Sequence, residues 1–404
     1  MQFHSVKLKE FLEPFLPLMG RRERQHWGSF YVQGLLSGHG RKTVSGLAER
    51  PGGVQQPLHQ FLSNSPWDWK PVRRALAQQL VHFTPRMAWV VNDVGFPRRG
   101  SHSVGVARQY CSDLDQERRC QVGICLSCVT DQGVFPLDFA LYLPEEWTND
   151  PVRRRKAGIP EGVTYQPKWR LAIDLVDRVR QWGIPLNLIM AGPEYGGVPE
   201  FRAALRDREL SYIVGIDYQL RVHHGEFSDY QEPQSVLELT EKLPDDFWVF
   251  HRTGMEELMK SRFAKVQVQA MPKMGRQDCP VELLVAGWPL VSRPTDFWLS
   301  NLLPDYPIEE LAQWTEIQRK TEPALQQMKA DLGLDHFEGR SWVGLHHHVT
   351  LVMLAYGFLV SETLRVGNTV QEQTIGDKWE KLPDDLKKEV VDYIDFLIQK
   401  YDIR

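Results

Sequence analysis

The sequence predicts an α/β protein: a mixed sheet flanked by helices, carrying a β-rich insertion, with an all-helical segment before it and further helices after it. Three observations predict this. Apolar residues recur at helical spacing up to about residue 85. From residue 88, short apolar runs and helical patterns follow one another in the order β-β-β-α-β-α-β. Between about 218 and 300, short strands alternate with polar loops before helical periodicity returns.

The elements follow in order. Phe11, Phe15, Leu16 and Met19 share a helical face, and Tyr31, Leu35 and Leu36 continue the pattern after a break. Ser45 is positioned to open a short helix that Pro51-Gly52-Gly53 closes. Helices are expected at 56–63 and from Val72 to Val81, separated by Asn64, Ser65 and Pro66. Ala88–Asp93 reads as a buried strand ending in an acid. Strands follow at Cys120–Val129 and Phe135–Tyr142, a helix at 168–182, a strand at Leu186–Ala191, a helix at 199–207 and a strand at Tyr212–Ile216. In the insertion, FAKVQVQA, VELLVAGW and DFWLSN read as strands. Helices are expected at 307–331, 345–364 and 384–402. The chain has 404 residues, more than one ordinary domain, and the pattern changes place segments at 1–85, 86–217, 218–304 and 305–404.

Hydrophobic residues make up 42% and charged residues 25%, values of a folded globular chain. No uninterrupted apolar run of about 18 residues appears, and MQFHSVKLKEFLEPF lacks the apolar core of a signal peptide. The expectation is a cytoplasmic protein without a membrane partner. Five cysteines fit a reducing compartment. Cys125 and Cys128 form a lone CxxC inside a buried strand, without the second ligand pair that a zinc site needs.

The net charge is −4, yet basic residues cluster. Arg41 and Lys42, Arg98 and Arg99, and the run Arg153, Arg154, Arg155 and Lys156 are the candidates for phosphate contacts. Asp93, at the end of the first strand and followed by a Gly-containing loop, is a candidate metal ligand. Glu322, on the helix after the insertion, is another, with Lys329 seven residues later on the same face. His346, His347 and His348 open an apolar helix, and packing is the simpler reading of them.

Taken in order and spacing, several words resemble the DDE superfamily of bacterial insertion-sequence transposases. They are YVQGLLSGHGRKTV, FLSNSPWDW, NDVGFPRRGSHSVGVARQYC, CQVGICLS, LYLPEEW with RRRKAGIP, FRAALRDRELSYIVGID, FWLSNL and LGLDHFEGRSWVGLHHHVTLVMLAYGFL. The resemblance implies an RNase H-like catalytic domain in which three carboxylates hold Mg²⁺ or Mn²⁺, double-stranded DNA as partner, and a homodimer. It puts the first catalytic Asp on Asp93, the catalytic Glu on Glu322 and its partner Lys on Lys329. The second catalytic Asp, which belongs in an Ala-Asp-Ala-Gly-Tyr-Gly word, falls on Gly192 of Ala-Gly-Pro-Glu-Tyr-Gly. Glu194 is the one nearby substitute. The Arg four residues before the family Glu is Gln318 here, the Trp after it is Arg319, and Pro323 directly follows Glu322.

These departures fall on the metal site while the scaffold words persist. The expectation is a catalytically impaired, repurposed transposase fold, a pseudoenzyme that binds DNA. Two alternatives stand beside it: an active transposase with Glu194 as the substitute ligand, and a fold recruited to small-molecule chemistry in a biosynthetic pathway.

Overall fold

A computed structural model of the chain describes residues 5–37, 40–81, 88–130, 132–224, 232–252, 260–271, 279–289 and 294–372. The expected helix at 384–402 lies outside them. The chain divides into two compact units. The first comprises Met1–Ile216, Leu299–Leu302 and Ile317–Val360, and the second Asp217–Trp298, Leu303–Glu316 and Ser361–Arg404.

The first unit opens with α1 (Ser5–Leu12), α2 (Arg22–Leu36), α3 (Val44–Ala48), α4 (Gln55–Ser63) and α5 (Trp69–Val81). Thr43, not Ser45, caps α3, its hydroxyl accepting from the Gly46 amide. Next come β1 (Ala88–Pro97), β2 (Ala107–Cys111), β3 (Gln116–Thr130), β4 (Gly133–Leu141), α6 (Glu145–Thr148), α7 (Pro151–Ala157) and α8 (Lys168–Arg180). They are followed by β5 (Leu188–Ala191), α9 (Pro193–Gly196), α10 (Pro199–Arg206) and β6 (Tyr212–Gly215). Strand β2 and helices α6, α7 and α9 were not expected from the sequence pattern.

The second unit holds β7 (Arg221–His224), β8 (Gln234–Ser235), α11 (Val236–Glu241), β9 (Val249–Arg252), β10 (Lys260–Ala270) and β11 (Val281–Pro289). Strand β12 (Asp296–Ser300) and helix α12 (Ile308–Arg319) follow at the boundaries of the units, and the chain then returns to the first unit with α13 (Thr321–Ala330) and, as far as Val360, α14 (Trp342–Glu372). In the second unit β10 pairs antiparallel with β9, β11 and β7, so the strands expected at FAKVQVQA and VELLVAGW are direct neighbours.

In the first unit the strand order is β2-β3-β1-β5-β6, with β4 on β3. Strands β1 and β3 run antiparallel from Ala88↔Val129 to Pro97↔Cys120. Strands β1 and β5 run parallel, but only from Ala88↔Leu188 to Val91↔Ala191. Strands β5 and β6 are also parallel. Three long antiparallel strands beside two short parallel ones make the mixed RNase H-like sheet that the sequence predicted.

Helix α8 covers this sheet with Ala172, Ile173, Leu175, Val176 and Val179, a 3.6-residue stripe that puts its apolar face inward. Strand β1 is four residues longer than predicted, because the long strand β3 pairs with it as far as Pro97. The helix expected at 307–331 is two helices. The break at Lys320 puts Pro323 at the third position of α13, where its missing N–H costs no hydrogen bond.

One buried cation ties the helical segment to the sheet. The Arg73 side chain on α5 has no exposed surface. It donates to Asp138 Oδ1 at 3.0 Å, the Phe139 carbonyl at 2.8 Å, Thr350 Oγ1 at 2.7 Å and the His346 carbonyl at 3.1 Å. Asp138, on the bulged strand β4, also faces Arg178 Nε at 3.2 Å. The His346–His348 row packs here as the sequence suggested. His347 stacks on Trp67 at 3.7 Å, and the His348 ring bridges Tyr31 Oη and the Gly333 carbonyl at 2.9 Å each. Burial holds the His347 and His348 pKa values down at about 4, so both rings are neutral packing groups. Helix α14 has a 24-residue stretch, Trp342–Arg365, apolar enough to cross a membrane, but Leu345, Leu351, Val352, Leu354 and Ala355 in it are fully buried core.

Asp138→Ala leaves the Arg73 guanidinium buried without its carboxylate, and the expected loss of stability is about 3–5 kcal/mol. Urea unfolding of the two proteins measures it; a loss below about 1 kcal/mol would mean that Arg73 is compensated elsewhere.

Candidate functional site

The site lies where the parallel ladder ends. Beyond Val91↔Ala191, β5 turns into α9 while β1 continues against β3 alone. In such sheets ligands usually bind just past the carboxyl ends of the parallel strands. Asp93 stands there, opposite Ile124 of β3, in the middle of β1 and not at its end as predicted. Its side chain is 6% exposed.

Both carboxylate oxygens of Asp93 are taken. Lys168 Nζ, on the first residue of α8, lies 2.6 Å from Oδ2. The Tyr195 hydroxyl, from α9, donates to Oδ1. The ammonium also lies 5.7 Å from the centre of the Tyr142 ring. Tyr195 is fully buried, and burial first, then the Asp93 charge, holds its phenol well above the ordinary range, fixing it as a donor. Helix α9 is pressed onto β6 so closely that a Cβ at Gly196 would meet the Gly215 carbonyl oxygen, and this contact fixes the position of Tyr195.

Gly192 ends β5 and caps α9. A Cβ at this position would lie 2.6 Å from Glu194 Oε1, so the Glu194 carboxylate fills the space that a side chain at 192 would enter. The Glu194 residue keeps exposed surface. Its carboxyl pKa is nevertheless pushed up to about 7, first by desolvation and then by the Asp93 charge, against a backbone hydrogen bond and, more weakly, Lys168, which pull the other way. Water on the open side screens that shift, so its direction matters more than its size.

Glu322 and Lys329 part company. Lys329 is buried and donates to the Gly95 carbonyl at 3.0 Å, two residues beyond Asp93. Desolvation lowers its pKa to about 8. Glu322 lies two turns earlier, about 10 Å along the axis. It is exposed, and its Oε1 accepts from Gln326 Nε2 at 2.9 Å. Among the described residues no three His, Cys, Asp or Glu side chains gather as a metal cluster. The thiols of Cys125 and Cys128 are pushed up to about 12 by burial.

The basic candidates divide in the same way. Lys42 is buried, its ammonium donating to the Ser37 and Gly34 carbonyls. Arg98 donates to Gln121 Oε1 and to the Asp335 carbonyl. Arg154 clamps the loop after α7 through the Val163, Pro160 and Glu161 carbonyls. Arg153 pairs with Glu146 at 3.2 Å and lies 4.0 Å over the Trp147 ring. Arg41 is exposed but pairs with Glu338 at 3.3 Å. Arg99, Arg155 and Lys156 are exposed on the surface. Sequence reasoning missed Lys168 and Tyr195. The word Ala-Gly-Pro-Glu-Tyr-Gly did contain Tyr195, but nothing in it pointed to Asp93.

An acidic strand residue beside a parallel-strand crevice, on a mixed RNase H-like sheet, defines a class of nucleic-acid-processing proteins. The comparison with known families agrees: residues 14–236 match the DDE superfamily endonucleases, and the chain belongs to that family. Over 315 residues, it is 25% identical to a protein of Microchaete diplosiphon described as a probable transposase for insertion sequence element IS701, a match covering 75% of this chain and 74% of the relative. Residues 374–404 match a separate family of unknown function. Glu322 and Lys329 lie outside the span matched by the endonuclease family.

Such a family implies two hard divalent cations held by oxygen ligands. The side chains present do not fit them. Gly192 contributes no donor, Lys168 and Tyr195 already bond to Asp93, and among the described residues no three acids gather around it.

The raised Glu194 pKa has a pH consequence. A carboxyl with a folded pKa near 7 stabilises the fold fully below its ordinary value of about 4.5, and that contribution fades as pH rises through about 7. Glu194→Gln is expected to match the wild type at pH 5 and to melt higher at pH 8. Equal melting temperatures at both values would show that Glu194 titrates as an ordinary surface acid.

Proposed function

We propose that this chain is a transposase-family protein that binds double-stranded DNA and has lost two-metal strand cutting. The observation that carries the reading is the glycine at position 192, with the Glu194 carboxylate folded over it. A ligand shell short of one acid loses metal affinity and rate by orders of magnitude. DNA binding is supported by family membership and by the exposed cations Arg99, Arg155 and Lys156.

A second reading has one observation in its favour. Glu194 occupies the volume of the missing side chain, and Asp93 influences its ionisation. On that reading Glu194 replaces the absent Asp, Mg²⁺ or Mn²⁺ is bound, and Asp93, Glu194 and Glu322 cut DNA.

Cleavage assays separate the two. Labelled duplexes spanning the ends of the element around the gene are incubated with the protein in Mg²⁺ or Mn²⁺. Binding without nicking is expected, and metal-dependent nicking by the wild type sinks the impaired-site reading. Replacing Arg99, Arg155 and Lys156 with Ala is expected to lower the salt slope of DNA binding by about three, one per lost phosphate contact. Gly192→Asp alone must displace Glu194 and leaves Glu322 turned toward Gln326, so it is expected not to restore full cleavage.

A further inference from the structure

We propose that Lys168 is the resident cation of this site, its ammonium holding the place on Asp93 that a divalent ion would take and keeping such ions out. The proposal rests on the impaired-site reading and adds the agent that makes the site complete without metal.

Four observations carry it. The ammonium is 2.6 Å from Asp93 Oδ2, and the side chain of Asp93 is almost closed to water. The remaining oxygen accepts from the Tyr195 hydroxyl, so each oxygen of Asp93 already has one partner from the chain and a metal ion would compete with both. Lys168 is anchored, unlike a long side chain free on the surface. It begins α8 directly after Pro167, whose ring fixes the backbone there, and its ammonium lies over the face of Tyr142. Finally, Lys168 offsets the Asp93 charge and also acts on the neighbouring Glu194 carboxyl, whose pKa it draws down. A divalent ion entering beside Lys168 would bring two more positive charges to a crevice whose 192 position supplies none of the acid that would offset them.

The arrangement has a functional meaning. A metal-loaded site contacts the DNA backbone through its cations. Here the fixed ammonium offsets the Asp93 charge, so a phosphodiester at the surface beside the site meets less repulsion from it without a metal. DNA binding by the wild type is therefore expected to be unchanged by EDTA.

The test uses the full chain and Mn²⁺ as the probe, followed by electron paramagnetic resonance. Lys168→Met is expected to bind Mn²⁺ about tenfold or more tightly than the wild type. Lys168→Arg, which keeps the charge, is expected to stay at the wild-type level. The double variant Asp93→Asn with Lys168→Met is expected to lose the gain, which places the bound ion on Asp93. Equal Mn²⁺ affinity in the wild type and Lys168→Met overturns the proposal, as does a gain that survives in the double variant.

A second measurement needs no variant to fold. A water-soluble carbodiimide activates the Asp93 carboxylate, the Lys168 amine attacks it, and an amide forms as the urea leaves, a net loss of one water between the two side chains. Mass spectrometry of the wild type is expected to find the Asp93–Lys168 cross-link at the same yield with and without millimolar Mn²⁺. Suppression of the cross-link by Mn²⁺ also overturns the proposal. Nicking by the wild type would sink the impaired-site reading. Failure of these metal tests without nicking would sink only the role of Lys168.

Discussion

An aspartate with almost no exposed surface, in the middle of a sheet, has to be compensated. Burying an ionised carboxylate is costly unless each oxygen has a partner. Asp93 meets that condition through two elements distant in sequence, α8 with Lys168 and α9 with Tyr195. Much of the first unit's geometry follows from this. The parallel β1–β5 register brings α9 beneath β1, the close Gly196–Gly215 approach sets its depth, and Pro167 fixes where α8 begins. If any of these moved, the carboxylate would be left partly unpaired.

The same compensation determines what chemistry remains. Carboxylates gathered to hold cations repel one another until the cations arrive, and that repulsion appears as raised pKa values. Glu194 shows a trace of it, because the Asp93 charge contributes to its upward shift. The larger contribution is desolvation, and Lys168 opposes both. Asp93 therefore has protein partners at both oxygens, Lys168 at one and Tyr195 at the other. Lys329 is likewise engaged by the backbone of β1. Its ammonium is spent on the Gly95 carbonyl, while Glu322, two turns away on the same helix, faces solvent. The two groups that the resemblance pairs on one helix thus have different surroundings, one buried and one exposed.

How much of this was legible in the sequence depended on whether the controlling contact was local. Buried runs such as Ala88-Trp-Val-Val and Leu188-Ile-Met-Ala announce strands by composition, and the acid after the first run marked Asp93 as a site residue. The strand's true end was hidden, because pairing with β3 extends it to Pro97. The break in the helix over 307–331 was legible in principle, since Pro323 is comfortable only in a first turn. Lys168 and Tyr195 were not legible, standing 75 and 102 residues from Asp93. Nor does a cluster of basic residues say which of them will be consumed by carbonyls. Lys42, Arg98 and Arg154 turn inward to satisfy backbone oxygens, and their neighbours Arg99, Arg155 and Lys156 stay at the surface.

The demands of folding and of metal chemistry fall on different residues, and that separation lets one fail without the other. The Arg73–Asp138–Arg178 group and the stacked histidines join the helical segment to the sheet through groups that never reach the crevice. A glycine at 192 leaves them untouched, because the Glu194 carboxylate fills the space and the α9 turn closes with its backbone bonds to the Gly192 carbonyl in place. A metal site left without one acid but with Asp93 bare would be destabilised by its own buried charge. One whose Asp93 is paired with Lys168 carries no such penalty. On the proposed reading, the fold tolerates a glycine at 192 because Asp93 already has a cation from its own chain.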